Sequence, residues 1–383
     1  MITLTEEQKL MRDLVRRLAR EKIGPIAAQM DAEEVFPEAA YRVLAEAKLF
    51  ALTVPEKFGG ADADVTTLCL VMEELAQVSS AAALMVFSTQ AAVRVIRQCS
   101  TPEQQDRFFP DLGRGDRLAS FVLTEPDFGS DAASLRTRAV RQGDDYVLNG
   151  SKVFISSGSR ASIFLVFART GPGEREQGLS AFVIPRETPG LKVGKAEDKM
   201  GLRGSMTNQV FLEDVRVPAA DRLGQEGEGW RILTQVANVM RLWGAASMAL
   251  GIAEGALNFA KDYAKARRQF GRPIADFQGL RFMFADMAML VESSRALIFD
   301  TAQMIDRGEA DKKEIESRVS MCKCFASDAA MKVTTDAVQI LGGYGYTKDY
   351  PVERMMRDAK ALQILDGTNQ IQRIIIARNL IQD

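Results

Sequence analysis

The sequence has no histidine among its 383 residues. That removes Ser-His-Asp triads, Cys-His pairs and histidine-ligated metals. Proton chemistry must fall to Asp, Glu, Lys, Tyr, Cys or water. Cysteine is scarce. Cys69, Cys99, Cys322 and Cys324 form no CxxC pair, and Cys322 and Cys324, two apart in a helix-like stretch, point in different directions. The expectation is buried or half-buried thiols in a reducing compartment and no metal site. Net charge is nearly absent too: 49 basic residues against 51 acidic leave −2. A nucleic-acid binder needs a strongly basic face, so that class is disfavoured. Long hydrophobic runs are missing. The longest, over residues 81–87, falls far short of the roughly 20 residues that span a bilayer. The start, MITLTEEQKLMRDL, lacks the basic region and apolar core of a signal peptide. Arg16, Arg17 and Arg20 are interleaved with Asp13 and Glu21, unlike a transit peptide. The expectation is a cytoplasmic protein.

What is present is ordinary for a globular chain, with 46% hydrophobic and 26% charged residues. At roughly 150 residues per domain the length allows two to three domains. Residues 1–117 read as helices. Thr3 and Glu6 are spaced for a capping box ahead of Leu10, Leu14 and Leu18. Gly24-Pro25 interrupts or ends that helix. Further helices fit residues 37–48, 65–78 and 82–98, and Thr101-Pro102-Glu103 reads as a helix start. Near Leu118 the pattern changes. Residues 118–123, 136–141, 145–149, 162–169, 179–185 and 209–217 read as strands, with Gly143-Asp144-Asp145 as a hairpin turn. Such short strands suggest a small barrel or sandwich. From Gly229 the helical period returns, over residues 230–266, 277–307, 312–341 and 352–381, which suits a helical bundle. The expected fold is therefore mainly α with a central β domain: an N-terminal helical domain (1–117), a small β-barrel or sandwich (118–225) and a C-terminal four-helix bundle (226–383). Strands and helices do not alternate, so a doubly wound nucleotide-binding sheet is disfavoured. No GxGxxG or GxxxxGK[ST] occurs, and Gly342-Gly343-Tyr344-Gly345 follows a helix rather than a strand.

Four stretches carry chemical interest, each with a plainer reading beside it. FVLTEPDFGSD (121–131) begins as a strand and breaks into a turn carrying Thr124, Ser130 and free backbone donors; an ordinary strand-to-loop turn is the simpler account. KVFISSG (152–158) puts Phe154 and Ser156 on one face of a strand, suited to a flat ring and its polar edge, or simply to a core Phe and a turn Ser. YAKARRQFGRP (263–273) is a helix end rich in guanidinium donors, which suit phosphate but also complement the helix dipole. The last stretch runs from Gln339 to Arg373. In it Asp366-Gly367-Thr368 precedes a helix, where Asp and Thr are both good N-caps.

Together these motifs resemble the acyl-CoA dehydrogenase family of flavoenzymes over essentially the whole chain, including the helix–strand–helix order. TEPDFGSD, ARRQFGRPIADFQ and LGGYGYTKDYPVERMMRDAK carry the likeness. The resemblance implies FAD between the β domain and the C-terminal helices, with part of the site from a neighbouring subunit. Phe121, Leu123, Thr124, Gly129 and Ser130 then line the flavin or the substrate mouth. Phe154 and Ser156 sit against the isoalloxazine. Arg267, Gln269 and Phe270 meet the partner subunit's FAD, Gln339, Gly342 and Gly343 approach its pyrophosphate and adenine half, and Thr368 and Gln370 help hold the cofactor. Arg241 matches an arginine near the CoA and the catalytic region; Ser130, Asn238, Met240, Leu365 and Gly367 join it as substrate-binding candidates. No metal is implied. The implied partners are an acyl-CoA substrate, electron-transferring flavoprotein as acceptor, and further copies of the chain in a homotetramer.

The implied reaction takes an α-proton onto a carboxylate while a β-hydride passes to the flavin. The family usually has Glu-Gly-Thr where this chain has Asp366-Gly367-Thr368. Some members place the base one residue before the arginine that matches Arg241, and here that residue is Met240. Asp366 is thus the only carboxylate at either family position. It is shorter than Glu by one methylene, about 1.5 Å of reach. Members acting on cyclohexanecarboxyl-CoA resemble this chain in using Asp as the base, so a cyclic, short or branched acyl group is the expected substrate. Relatives that act in a 1,4 sense on cyclohexenecarboxyl-CoA carry an extra Asp near position 90. This chain has Ser88-Thr89-Gln90 there, which favours α,β-dehydrogenation. Two alternatives stay open: a flavin oxidase of the nitroalkane-oxidase type, and a desulfinase-like relative that does not dehydrogenate.

Overall fold

The computed structural model describes residues 3–171 and 175–381. Six helices come first: α1 (Glu6–Leu18), α2 (Ala27–Glu33), α3 (Glu38–Glu46), α4 (Val65–Ala76), α5 (Ser80–Cys99) and α6 (Pro102–Leu112). The cap of α1 is Thr5 with Gln8, each side chain bonding the other's backbone N–H. The Thr3–Glu6 box is therefore corrected by two residues: Thr5-Glu6-Glu7-Gln8 has the same spacing, and Thr5 is the residue that stands at the helix start. Thr101 caps α6 as expected, with Pro102 in the first turn. Gly24-Pro25 does not end the helical path; a π turn and a 3-10 turn carry it into α2. Every residue of α4 is buried, and α5 is buried along nearly all its length. Both lie at the centre of the core, with the buried Glu73 and Glu74 of α4 paired to Arg295 and Arg16.

Eight strands follow: β1 (Leu118–Val122), β2 (Arg138–Gln142), β3 (Asp145–Ser156), β4 (Ala161–Arg169), β5 (Leu179–Pro185), β6 (Leu191–Ala196), β7 (Thr207–Pro218) and β8 (Arg222–Leu223). The sheet runs β6-β7-β3-β2-β4-β5-β8, with β1 beside β4. Most neighbours are antiparallel; β1 runs parallel to β4, pairing Phe121 with Leu165. Strand β4 shows how the sheet divides. Ile163, Leu165 and Phe167 join the core shared with the helices, while Phe164, Val166 and Ala168 join a second core with Tyr146, Leu148, Phe182 and Val215. Alternate residues thus serve opposite faces, and both are apolar. The hairpin at Gly143-Asp144 forms as the sequence suggests. Three features depart from expectation. β6 and β8 are additional strands, one half-exposed and one only two residues long. β3 continues to Ser156 through two register shifts rather than stopping at Asn149.

The C-terminal part begins with α7 (Gly229–Arg231), passes through two π turns (Ile232–Val236 and Leu242–Ala246), and enters α8 (Ser247–Ala266). A small hairpin, β9 (Arg268–Gln269) with β10 (Arg272–Pro273), leads to α9 (Gln278–Arg307) and α10 (Lys312–Leu341). The expected single run over 352–381 is two helices, α11 (Val352–Leu362) and α12 (Asn369–Ile381). They are separated where Asp366 and Gly367 both take positive φ, 56° and 87°. Helix α10 is the centre of this part, touching α8, α9, α11 and α12. No helix of the described residues is long and apolar enough to cross a membrane.

Candidate functional site

The break between α11 and α12 holds a carboxylate on a left-handed residue, Asp366 at φ 56°. A left-handed Asp is uncommon and must be held there by its surroundings. Arg241, at the mouth of the second π turn, donates from Nε to the Asp366 carbonyl at 2.8 Å. Gln372 on α12 donates from Nε2 to the Gly367 carbonyl at 3.0 Å and to the Asp366 carbonyl at 3.4 Å. Lys323 on α10 donates from Nζ to the Gly367 carbonyl at 3.0 Å. A side chain at Gly367 would meet Gln372 Nε2 at 2.8 Å, and its φ of 87° also favours glycine. The turn is therefore pinned through its backbone, and the carboxylate is left without such ties. Asp366 Oδ2 is closed off from solvent and has no hydrogen-bond partner in the protein. Burial pushes Asp366 up to about 6, while the charges of Lys323 and Arg241 hold it from rising further. The N-capping role falls to Thr368 instead, whose Oγ1 accepts from the Ile371 N–H at 3.3 Å.

Arg241 also donates from Nη1 to Asn238 Oδ1, so Asn238 belongs to this cluster. Met240 and Trp243 are buried in the main core, and Leu365 packs against it half-buried. Trp243 meets Phe87 edge-on, with ring centroids 5.1 Å apart. Gly244 lets Phe87 lie against the π turn: a Cβ there would fall 2.1 Å from Phe87 Cε2. Gln370 is exposed on α12.

A second group lines an open cleft of about 580 Å³ between the β9–β10 hairpin and the end of α10. It includes Arg267, Gln269, Phe270, Gly342 and Gly343, with Tyr263, Phe277, Tyr344 and Thr347 beside them. The Arg267 guanidinium lies over the Tyr344 ring, 5.4 Å from its centroid. Phe270, at the hairpin tip, is 93% exposed. Gln339 stands one turn back on α10, where its carbonyl accepts from the Gly342 N–H.

The third group lies on the β domain. The Thr124 carbonyl accepts from the Val153 N–H at 2.9 Å, which joins the 121–131 stretch to β3. Beneath it is a buried ion pair. Lys152 Nζ bonds the Leu123 carbonyl and Glu125 Oε1, both at 2.9 Å, and Glu125 also accepts from the Arg136 and Thr137 N–H groups. Burial works to raise Glu125, but Lys152 and these donors outweigh it and hold it below the ordinary range. Phe121 packs on Phe167. Leu123 is half-buried; Gly129 and Ser130 are exposed. Phe154 and Ser156 do not share a face by simple alternation. The register shift between Lys152 and Ile155, with Phe154 at φ 58°, interrupts the period and leaves Phe154 63% exposed while Lys152 and Ile155 are buried. Among the described residues no hydrogen bond joins these three groups; the first two share α10, and the third lies on the β domain.

Three domain descriptions match in order: acyl-CoA dehydrogenase N-terminal domain over residues 5–116, middle domain over 120–215 and C-terminal domain over 227–381. An acyl-CoA dehydrogenase of Bacillus subtilis is 46% identical over 379 residues, covering 99% of both chains. The chain belongs to the acyl-CoA dehydrogenase family. A cyclohex-1-ene-1-carbonyl-CoA dehydrogenase of Geobacter metallireducens is 45% identical, again over 99% of both chains. The solved structure of butyryl-CoA dehydrogenase from Megasphaera elsdenii superposes with a TM-score of 0.94 at 38% identity, covering all of both chains. As a member of this family the chain is an oxidoreductase and a flavoprotein.

The residues present fit a flavin nucleotide. At the cleft, added side chains at Gly342 and Gly343 would meet nothing within 4 Å, so a ligand can approach the backbone closely. Arg267 offers a guanidinium suited to phosphate. Phe270 and Phe154 are apolar rings left uncovered, as a flat aromatic ligand requires. The sequence reading passed over Lys323 and Gln372 beside Asp366, and Tyr344 and Phe277 in the cleft. One signal for Lys323 was available: with Val319, Ala326 and Ala330 it falls at helical spacing on an apolar stripe, and all four are buried.

Proposed function

We propose that this enzyme removes the α- and β-hydrogens of an acyl-CoA thioester to give the 2-enoyl-CoA, with Asp366 taking the α-proton. The observation that carries this reading is the enclosed, unpartnered Oδ2 of Asp366 on a carboxylate raised to about 6. A base of that strength is largely ionised near neutral pH yet gains a proton readily. Arg241, Gln372 and Lys323 hold its backbone, so the carboxylate can reach a substrate Cα without the turn moving. Bound FAD supplies the two-electron acceptor for the β-hydride.

Arg267, Gln269, Phe270, Gln339, Gly342 and Gly343 would hold the nucleotide half of FAD. Phe121, Leu123, Thr124, Gly129, Ser130, Phe154, Ser156, Thr368 and Gln370 would meet its ring or the substrate mouth. Ser130, Asn238, Arg241, Met240, Leu365 and Gly367 border the acyl-CoA path in this reading. The openness of the cleft and the exposure of Phe270 favour completion by a second copy, in keeping with a homotetramer. The division into 1–117, 118–225 and 226–383 goes with this arrangement, and electron-transferring flavoprotein is the proposed acceptor.

The substrate is a short, branched or alicyclic acyl group. Two features support this: the shorter base at position 366, and the ring carboxylate named for the Geobacter relative. Gln90 lends no second base. It is fully buried and bonds Thr53 and the Leu49 carbonyl. Anaerobic flavin bleaching by butyryl-, octanoyl-, isobutyryl-, isovaleryl-, glutaryl- and cyclohexanecarboxyl-CoA tests the reading. Rapid bleaching by a branched or cyclic member supports it. Bleaching by octanoyl-CoA alone removes the reach argument, and no bleaching by any removes the dehydrogenase assignment.

A further inference from the structure

Lys323 is fully buried on α10, yet it makes no ion pair with a carboxylate among the described residues. Its Nζ bonds the Gly367 carbonyl at 3.0 Å and Asn369 Oδ1 at 2.7 Å, one on each side of the start of α12. Val319, Ala326 and Ala330, at helical spacing from it on α10, are buried as well, so the ammonium stands on an apolar stripe. A buried cation without a carboxylate partner is costly in a generic interior. Such a group persists where it serves an anion or a strained turn, and Lys323 faces both.

We propose that Lys323 is a positioning residue for Asp366: its ammonium clamps the left-handed Asp366-Gly367 turn through the Gly367 carbonyl and places a positive charge one residue from the base. This rests on Asp366 being the base. Asn369 completes the clamp. Its Nδ2 bonds Ser327 Oγ at 2.9 Å and Asp328 Oδ1 at 2.8 Å, while its Oδ1 accepts from Lys323 and from Ser327. The network fixes Lys323 to the first residue of α12 as well as to the turn. Burial pulls Lys323 down to about 8, and Asp366 is the foremost group supporting its charge.

The charged and titratable groups around this turn are few. Lys323, Cys324, Asp328 and Glu316 come from α10, Arg241 from the run before α8, and Arg373 from α12. Asp328 is engaged by Arg373, and Glu316 by Arg378. Lys323 and Arg241 are left as the two cations acting on Asp366. Arg241 grips the Asp366 carbonyl and Lys323 the next one, so the pair hold successive peptide units.

The experiment uses the FAD-loaded enzyme with Lys323→Met, Lys323→Gln and, in parallel, Asp366→Asn. Single-turnover flavin bleaching is followed from pH 5 to 9 with the best substrate of the panel. Binding of a non-oxidisable thioether analogue and thermal unfolding are followed beside it. Lys323→Met is expected to bleach at least tenfold more slowly at pH 7. Its acidic limb should move up by about one pH unit or more, the effect of losing an opposite charge near a carboxylate. Analogue binding should stay within threefold. Lys323→Gln keeps a donor but no charge, so its limb should shift alike while its rate recovers more fully at pH 9. An unmoved limb in both variants overturns the proposal, whether or not the melting temperature falls. If the Met variant does not fold, the Gln variant decides by the same limb. Asp366→Asn separates the two levels: wild-type bleaching there removes the base assignment itself, whereas its loss together with an unmoved Lys323→Gln limb removes only the positioning role.

Discussion

The protonation of Asp366 should govern turnover, and the structure sets where. With its carboxyl raised to about 6, the base is about 90% ionised at pH 7 and about 10% ionised at pH 5, since one pH unit is tenfold. The single-turnover bleaching rate should therefore fall about ninefold between pH 7 and pH 5. An Asp at its ordinary value near 3.9 would lose less than about 10% over the same range. Asp366→Asn should retain the flavin and lose at least about 100-fold in rate, the low end for a general base. Stability should move the other way. A carboxyl whose folded pKa lies above its unfolded value stabilises the fold most at low pH, and that contribution is lost as pH rises through about 6. The Asn variant never ionises, so relative to wild type it should gain about 1–3 kcal/mol between pH 4 and pH 8, reduced by what Lys323 loses in partnership. Stopped-flow bleaching and urea unfolding at several pH values measure both. A rate flat from pH 5 to 8, or an Asn variant as fast as wild type, would refute the reasoning.

Three further outcomes are expected. Glu125→Leu strands Lys152 in the interior with only the Leu123 carbonyl, at a cost of about 3–5 kcal/mol in urea unfolding; adding Lys152→Met should recover at least half, and additive losses would show that the pair is not coupled. Gly244→Ala drives a methyl to 2.1 Å from the Phe87 ring, which should cost about 1–3 kcal/mol and be eased by Phe87→Leu; an unchanged melting temperature would mean that the π turn shifts freely. Phe270→Ala removes a ring that is 93% exposed, so the monomer fold should not suffer, but the ratio of flavin to protein absorbance after gel filtration should drop. Full retention of flavin would take Phe270 out of the cofactor site.

The order helices–strands–helices was legible because each change of hydrophobic period is a local property. So were the Thr101-Pro102 start of α6 and the Gly143-Asp144 hairpin, where four residues suffice to define the turn. Even where such rules hold, they tie when two neighbours offer the same chemistry. Thr3-x-x-Glu6 and Thr5-x-x-Gln8 are equally good boxes, and only the observed helix start selects Thr5. The small strands β6 and β8 were not legible: half the residues of β6 are exposed, which weakens alternation, and β8 has only two residues, too few to show a period.

The sequence by itself determined which groups were available: no imidazole anywhere, Met240 rather than a carboxylate before Arg241, and an Asp-Gly-Thr that had to break a helix or begin one. What made Asp366 unusual lay outside its own segment. Arg241 comes from 125 residues away and Lys323 from more than 40, and each reaches a backbone carbonyl that no spacing rule predicts. The register shift that exposes Phe154, and the burial that raises a carboxyl while leaving its oxygen unpartnered, are likewise products of packing. Local sequence fixes dihedral preference and periodicity, which act over a few residues. Desolvation and charge–charge coupling depend on what the rest of the chain brings near, so only the tertiary structure decides them.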